Sequence, residues 1–267
     1  MLTIGGDCVS FVDMSANVAA IICAAGPGTR FGGKRRKQFV DVAGRAAFLR
    51  SVELFSNRDD VKQILLGIPK EDEEIVTIRW GANLSLFNTK VFIGGTTRFE
   101  TVNIALKMVK DDIDLVAIHD AARCCVTAKW IDEVIKAAEK SGAAILACPV
   151  SSTIKEVKDG VIVRTVDRTA LYEAQTPQVF RTALLKKAHE AALRRSSGQA
   201  DKANVEKISD DALLVEAIGE KVSIVETDSS NIKITRQSDI AIAEAIIKTR
   251  PEPKRQGPLG PYIEAQW

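Results

Sequence analysis

Val18-Ala19-Ala20-Ile21-Ile22-Cys23 runs apolar without a break and passes straight into Ala24-Ala25-Gly26-Pro27-Gly28-Thr29-Arg30-Phe31-Gly32-Gly33-Lys34-Arg35-Arg36-Lys37-Gln38. No other stretch restricts the fold as much. A short, β-branched run with no polar alternation is a strand buried on both faces, and such strands belong to parallel sheets with helices above and below. The chain then turns sharply. Gly26 and Gly28 let the backbone approach a ligand closely, so that successive N–H groups can point at phosphate oxygens. Arg30, Lys34, Arg35, Arg36 and Lys37 follow within eight residues. Positive charge at that density repels itself unless a polyanion is present, so the junction reads as a cradle for a triphosphate.

Two commoner glycine loops fit less well. The dinucleotide fingerprint needs a third glycine where the chain has Phe31, which disfavours a pyridine-dinucleotide oxidoreductase. The Walker pattern is met by Gly28, Gly33 and Lys34, but Arg35 stands where the magnesium-binding hydroxyl should be.

Charge and cysteines exclude several classes. Of the 267 residues, 37 are basic and 35 acidic, so the positive charge is local and the whole chain is not a polyanion binder. Aromatic residues make up 5% and do not interleave with the basic cluster, which argues against a single-strand nucleic-acid groove. No apolar run approaches the roughly 20 residues of a membrane span. Cys8, Cys23, Cys124, Cys125 and Cys148 form no C-x-x-C pair and no metal spacing with His119 or His189, so they read as reduced thiols of a cytoplasmic protein.

Periodicity predicts strands near 18–25, 61–68, 90–94, 115–119, 143–149 and 221–227. Helices are expected near 46–56, 70–79, 98–109, 128–141, 181–195, 209–218 and 237–249. This β-α-β rhythm implies an α/β fold with a single Rossmann-like, mostly parallel sheet covered on both faces. Ligands then bind where the strand C-termini meet. Residues 1–16 read as a flexible extension, 17–250 as the domain and 251–267 as a disordered tail. The segment 152–168 interrupts the rhythm: two alternating bursts surround Lys158-Asp159-Gly160, a strong hairpin signal. Such a hairpin either folds back on its own domain or protrudes as an arm against a second subunit. Asp210 and Asp211 follow Ser209 at a helix start, where negative charge complements the helix N-terminus.

The pattern Ala24-Ala25-Gly26-x-Gly28-x-Arg30-x-Gly32 with Lys37-Gln38 resembles the signature of nucleotidyltransferases that act on phosphorylated sugars and polyols. Later segments narrow the resemblance. Gly94-Gly95-Thr96-Thr97-Arg98-Phe99-Glu100-Thr101-Val102, His119-Asp120-Ala121-Ala122-Arg123, Asp167-Arg168, Gln175-Thr176-Pro177-Gln178 and Asn231-Ile232-Lys233-Ile234-Thr235 occur in the order of the 2-C-methyl-D-erythritol 4-phosphate cytidylyltransferase family. The likeness covers about residues 17 to 250.

The resemblance implies transfer of CMP from CTP to 2-C-methyl-D-erythritol 4-phosphate with loss of pyrophosphate, a step of non-mevalonate isoprenoid precursor synthesis. It makes Arg30 and Lys37 catalytic, stabilising charge at the α-phosphate. Ala24, Ala25, Gly26, Gly28, Gly95, Thr96 and Thr101 would bind the nucleotide. Asp120, Arg123, Thr153, Arg168, Thr176 and Lys233 would hold the acceptor, some of them across a homodimer joined by the hairpin arm. Mg²⁺ or another divalent cation is implied, with Asp120 the candidate carboxylate. The chain departs from the family pattern at Arg36 (proline is usual), Thr101 (serine), Cys124 (proline) and Ser152 (often aspartate). The last two lie near the acceptor groups, so ribitol 5-phosphate stands as an alternative acceptor.

Overall fold

The computed structural model describes residues 16–26, 31, 36–196, 208 and 210–250. The expectations for 1–15 and for the tail after residue 250 fall outside the described residues.

The run Val18–Cys23 forms β1, and its side chains divide between two cores. Val18, Ala20 and Ile22 enter one apolar cluster while Ala19 and Ile21 enter another on the opposite face. This is the double burial that its unbroken apolar sequence requires. A small hairpin of β2 (Asp41–Val42) and β3 (Arg45–Ala46) leads into α1 (Ala47–Ser56). Then come β4 (Val61–Ile68), α2 (Glu73–Leu86), β5 (Thr89–Ile93), α3 (Arg98–Leu106) and β6 (Leu115–Asp120). α4 (Ala128–Ser141) and β7 (Ala143–Pro149) precede a hairpin of β8 (Ile154–Lys158) and β9 (Val161–Val166). β10 (Tyr172–Arg181), α5 (Thr182–Ser196), a short helix Ala212–Glu216, β11 (Ser223–Glu226) and a helix Ser238–Thr249 complete the order.

The main sheet has seven strands in the order β11-β7-β10-β6-β1-β4-β5. β1 pairs in parallel with both β4 and β6, β4 with β5, and β7 with β11. β10 alone among these strands is antiparallel to its neighbours. Cys23 lies opposite Asp120 on one side and Gly67 on the other, and Gly67 opposite Phe92, so the C-terminal ends of β1, β4, β5 and β6 share one edge. Chain order reverses at β1, with β4 on one side and β6 on the other, the position where open α/β sheets bind ligands.

Every strand that periodicity predicts is present, and 143–149 and 61–68 keep their bounds. Three differences are local. The helix expected over 70–79 starts at Glu73 and runs on to Leu86. The helix expected over 209–218 shortens to Ala212–Glu216. β10 is an addition: Pro177 reads as a loop residue because it cannot donate to a ladder. The strand tolerates it because the pairing to β7 shifts register between Ala174 and Gln178.

The hairpin of β8 and β9 forms a sheet of its own, turned at Asp159 and Gly160 with φ of 50° and 80°. Positive φ at both central residues matches the twist of the flanking strands. Its apolar side chains stay uncovered: Val157, Val161, Ile162 and Val163 are 55%, 69%, 59% and 57% exposed. Val150 N donates to Leu171 O (3.0 Å) at the base, where the hairpin leaves the same sheet edge that carries the strand C-termini.

Candidate active site

The end of β1 is fixed by its neighbours. Ala24 N donates to Gly67 O (2.9 Å), and Ala24 O accepts from Gln38 Nε2 (2.6 Å). Gln38 is buried at 2% exposure, in a short 3-10 turn Lys37–Phe39 whose Phe39 packs against Phe48 and Trp80, each with ring centroids 5.5 Å away. The turn therefore holds Lys37 beside the strand end. Gly28 and Arg30 lie outside the described residues. Arg36 belongs elsewhere: its guanidinium pairs with Glu71 and, at 2.7 Å, with Asp72, so acidic side chains already meet the charge that replaces the family's proline.

Across the edge, Gly94 and Gly95 lie where a side chain would not fit. A Cβ on Gly94 would come within 2.5 Å of the Ala25 Cβ, and one on Gly95 within 2.2 Å of the Glu100 Cβ. The Gly94 end of the turn is thus packed directly against Ala25, and the glycines allow the β1 end and the β5 end to approach this closely. Thr101, expected to contact the nucleotide, ties the turn to the start of α3: its hydroxyl donates to Thr97 O (2.9 Å) and accepts from Gly95 N (3.1 Å), at 1% exposure. Thr97 and Glu100 close a capping box at the start of α3, and Glu100 also accepts from Thr96 N and Thr96 Oγ1, both at 2.7 Å.

At the end of β6, Asp120 is buried between two cations. Its Oδ1 accepts from Arg98 Nε (3.3 Å) and its Oδ2 from Lys233 Nζ. Burial pushes the carboxyl pKa upward, but Lys233 and Arg98 overcome it and hold the group far below the usual carboxylate range. Thr176 fixes the same residue from behind, its hydroxyl accepting from Asp120 N (3.0 Å) and meeting His119 Nδ1 at 3.2 Å. Burial lowers His119 to a pKa of about 4, so the ring is neutral near pH 7. Arg123 spends its fork on the backbone, donating to Asn231 O (2.7 Å) and Ala174 O (3.2 Å). With Ile234 N donating to Ala122 O (2.9 Å), these bonds seat the irregular segment that carries Lys233.

The expected acceptor residues therefore divide. Asp120, Arg123, Thr176 and Lys233 come together at one strand edge, although Thr176 and Arg123 serve mainly to build it. Thr153 and Arg168 are exposed at the hairpin base, and Arg168 donates to Ser151 O. Neither bonds to the Asp120 cluster among the described residues. Two groups that the residue reading left out belong to it. Arg98 joins Asp120 to Asp211, and Asp211 does not cap its helix by a side-chain bond, whereas Asp210 Oδ1 does accept from Leu213 N (3.3 Å). The four described cysteines are unpaired thiols, and no described helix is long and apolar enough to cross a membrane.

A mostly parallel sheet that gathers a glycine turn packed on the β1 end, the Lys37 turn and a cation-flanked carboxylate at its strand C-termini has the layout of an α/β nucleotidyl-transfer enzyme. Comparison with known proteins gives the particular family. The chain belongs to the 2-C-methyl-D-erythritol 4-phosphate cytidylyltransferase family, which it matches over residues 18–249. The protein of that name from Endomicrobium trichonymphae is 40% identical over 232 residues, 86% of this chain and 99% of the relative. That from Carboxydothermus hydrogenoformans is 36% identical, covering 85% and 94%. Among solved structures, 4-diphosphocytidyl-2C-methyl-D-erythritol synthase from Anaerococcus prevotii superposes with a TM-score of 0.72 at 30% identity, covering 88% of this chain and 99% of that one. The Thermus thermophilus cytidylyltransferase gives 0.68 at 30% identity, covering 88% and 100%.

Proposed function

We propose that this protein transfers CMP from CTP to 2-C-methyl-D-erythritol 4-phosphate in the cytoplasm, as a homodimer. The observation that carries the reading is the placement of the family's motifs: the Ala24–Gly26, Gly94–Gly95 and Asp120 segments lie at one sheet edge, with Lys37 and Lys233 beside them.

An acceptor phosphate oxygen attacks the α-phosphorus; the new P–O bond forms as the bond to the β-phosphate oxygen breaks and pyrophosphate departs with the electron pair. The nucleophile is already an anion, so no general base is required. The protein supplies alignment and fixed positive charge. Lys37 and Arg30 face the charge that grows on the non-bridging oxygens. Backbone groups of Ala24, Ala25, Gly26, Gly28 and Gly95, with Thr96, line the base and phosphate path, and a slot walled by backbone favours a pyrimidine over the larger purines. Asp120, Lys233 and Arg123 form the acceptor end. Thr153 and Arg168, set apart on the hairpin, complete the acceptor site of the other subunit, and the exposed valines and isoleucine of that hairpin form the dimer contact.

A divalent cation as a resident of the protein does not fit these side chains. Both Asp120 oxygens are committed to cations, and the described residues hold no group of three His, Cys, Asp or Glu side chains placed to bind a metal. Magnesium then enters as part of the substrate, on the triphosphate, and Asp120 serves as the anion that orients Lys233.

The nucleotide tests the reading. Pyrophosphate release with methylerythritol phosphate and each of four nucleoside triphosphates should favour CTP by at least about a hundredfold in kcat/KM over ATP, the discrimination expected when a site leaves unpaired polar groups against the wrong base. Comparable turnover of ATP would contradict it.

A further inference from the structure

Arg98 is the first residue of α3, where the helix dipole disfavours a cation. Two carboxylates from distant parts of the chain hold it there. Nε pairs with Asp120 Oδ1 at 3.3 Å and Nη1 with Asp211 Oδ2, while Nη2 is enclosed without a hydrogen-bond partner among the described residues. Burial would lower its pKa, but Asp211 and Asp120 outweigh that, and the guanidinium remains charged.

Asp211, 1% exposed, is itself locked from three sides. Its second oxygen meets His189 Nε2 at 3.3 Å, and its N–H donates to Gln178 Oε1 (3.1 Å), which also accepts from Ala212 N. The His189 ring lies flat on Phe99, the neighbour of Arg98, with centroids 4.8 Å apart and planes 6° from parallel. Lys233, Asp120, Arg98 and Asp211 thus make a row of alternating charge from the site edge into the core. In that row each carboxylate oxygen of Asp120 serves one cation.

We infer that Arg98, anchored by Asp211, is a positioning residue that presents Lys233 to the acceptor phosphate through Asp120. Without the Asp211 charge, the guanidinium would turn its fork onto Asp120 and take both oxygens, the bidentate geometry that arginine and carboxylate prefer. Lys233 would lose its tie. The inference rests on the proposed contact of Lys233 with the acceptor and goes beyond it by naming what aims that lysine.

The test is steady-state kinetics of the full chain. Asp211→Asn should raise the KM for methylerythritol phosphate about tenfold, within the range of coupling that a side-chain network carries, with KM for CTP and kcat within about twofold of wild type. Arg98→Lys, which keeps the charge but cannot bridge two carboxylates, should give the same pattern and serves if Asp211→Asn does not fold. Lys233→Gln should raise the acceptor KM by itself, and adding Asp211→Asn should raise it no further. An equal rise from Asp211→Asn in both backgrounds would overturn the inference, as would a lowered melting temperature with acceptor KM unmoved. If Lys233→Gln leaves the acceptor KM unchanged, the assignment of Lys233 fails and the inference falls with it. A Lys233→Gln effect with silent Asp211→Asn and Arg98→Lys overturns the positioning role alone.

Discussion

Lys37→Ala is expected to lower kcat by about a hundredfold or more while the protein keeps its fold, the loss typical when a donor aimed at developing charge is removed. The fold should survive because the neighbours anchor the turn. Gln38 reaches Ala24 O from its buried position, and Phe39 is wedged against Phe48 and Trp80, so truncating Lys37 leaves those contacts in place. KM for CTP should change far less than kcat, since growth of charge at the α-phosphate distinguishes the transition state from the bound substrate. Lys37→Arg should recover part of the rate by restoring the charge. Near-normal turnover in Lys37→Ala, with melting temperature unchanged, would remove the cationic mechanism.

A mixture of two dead variants should regain activity. Arg168 sits at the base of a hairpin whose Val157, Val161, Ile162 and Val163 are more than half exposed, and its described hydrogen bond runs to Ser151, not to the Asp120 cluster. An arm that packs on a second subunit would deliver that guanidinium to the neighbour's acceptor phosphate. Lys37→Ala and Arg168→Ala chains, each inactive alone, are then unfolded together and refolded. In a mixed dimer one site takes both lesions and the other neither. Random pairing makes about half of the dimers mixed, each with one sound site, so activity should return to roughly a quarter of wild type. If Arg168 serves its own subunit, every site keeps one lesion and mixing restores nothing. Differential tags that confirm mixed dimers make that negative result decisive.

The sequence shows most of the fold because the strands carry their environment in their composition. Val18–Cys23 and Ala143–Pro149 are apolar throughout since both faces are covered, and no other local structure explains such runs. β10 escapes because Pro177 makes its middle look like a loop, and only the partner strands reveal the register shift that accommodates it. The motif positions were readable for a similar reason: glycines at 94 and 95 are demanded by close contacts with Ala25 and Glu100. Long-range pairing was not readable. Arg98 and Asp211 are 113 residues apart, and neither carries a local sign of the other. Beside a helix start, Asp211 has the signature of a cap, yet burial and the pull of a guanidinium give it a different partner. Hydroxyl partners are equally invisible to residue type: Thr101 bonds to Gly95 and Thr97, and Thr176 accepts from Asp120 N and lies beside His119.

The acceptor decides the central claim, because the chain departs from the family pattern at Cys124 and Ser152. Phosphorus NMR of the protein with CTP and magnesium should show methylerythritol phosphate converted to a cytidine diphosphate diester, with pyrophosphate appearing in equal amount. Under the same conditions ribitol 5-phosphate should stay at least about tenfold slower, a difference of roughly 1.4 kcal/mol in transition-state binding. Faster transfer to ribitol 5-phosphate, or pyrophosphate released without the diester, would contradict cytidylyl transfer to methylerythritol phosphate.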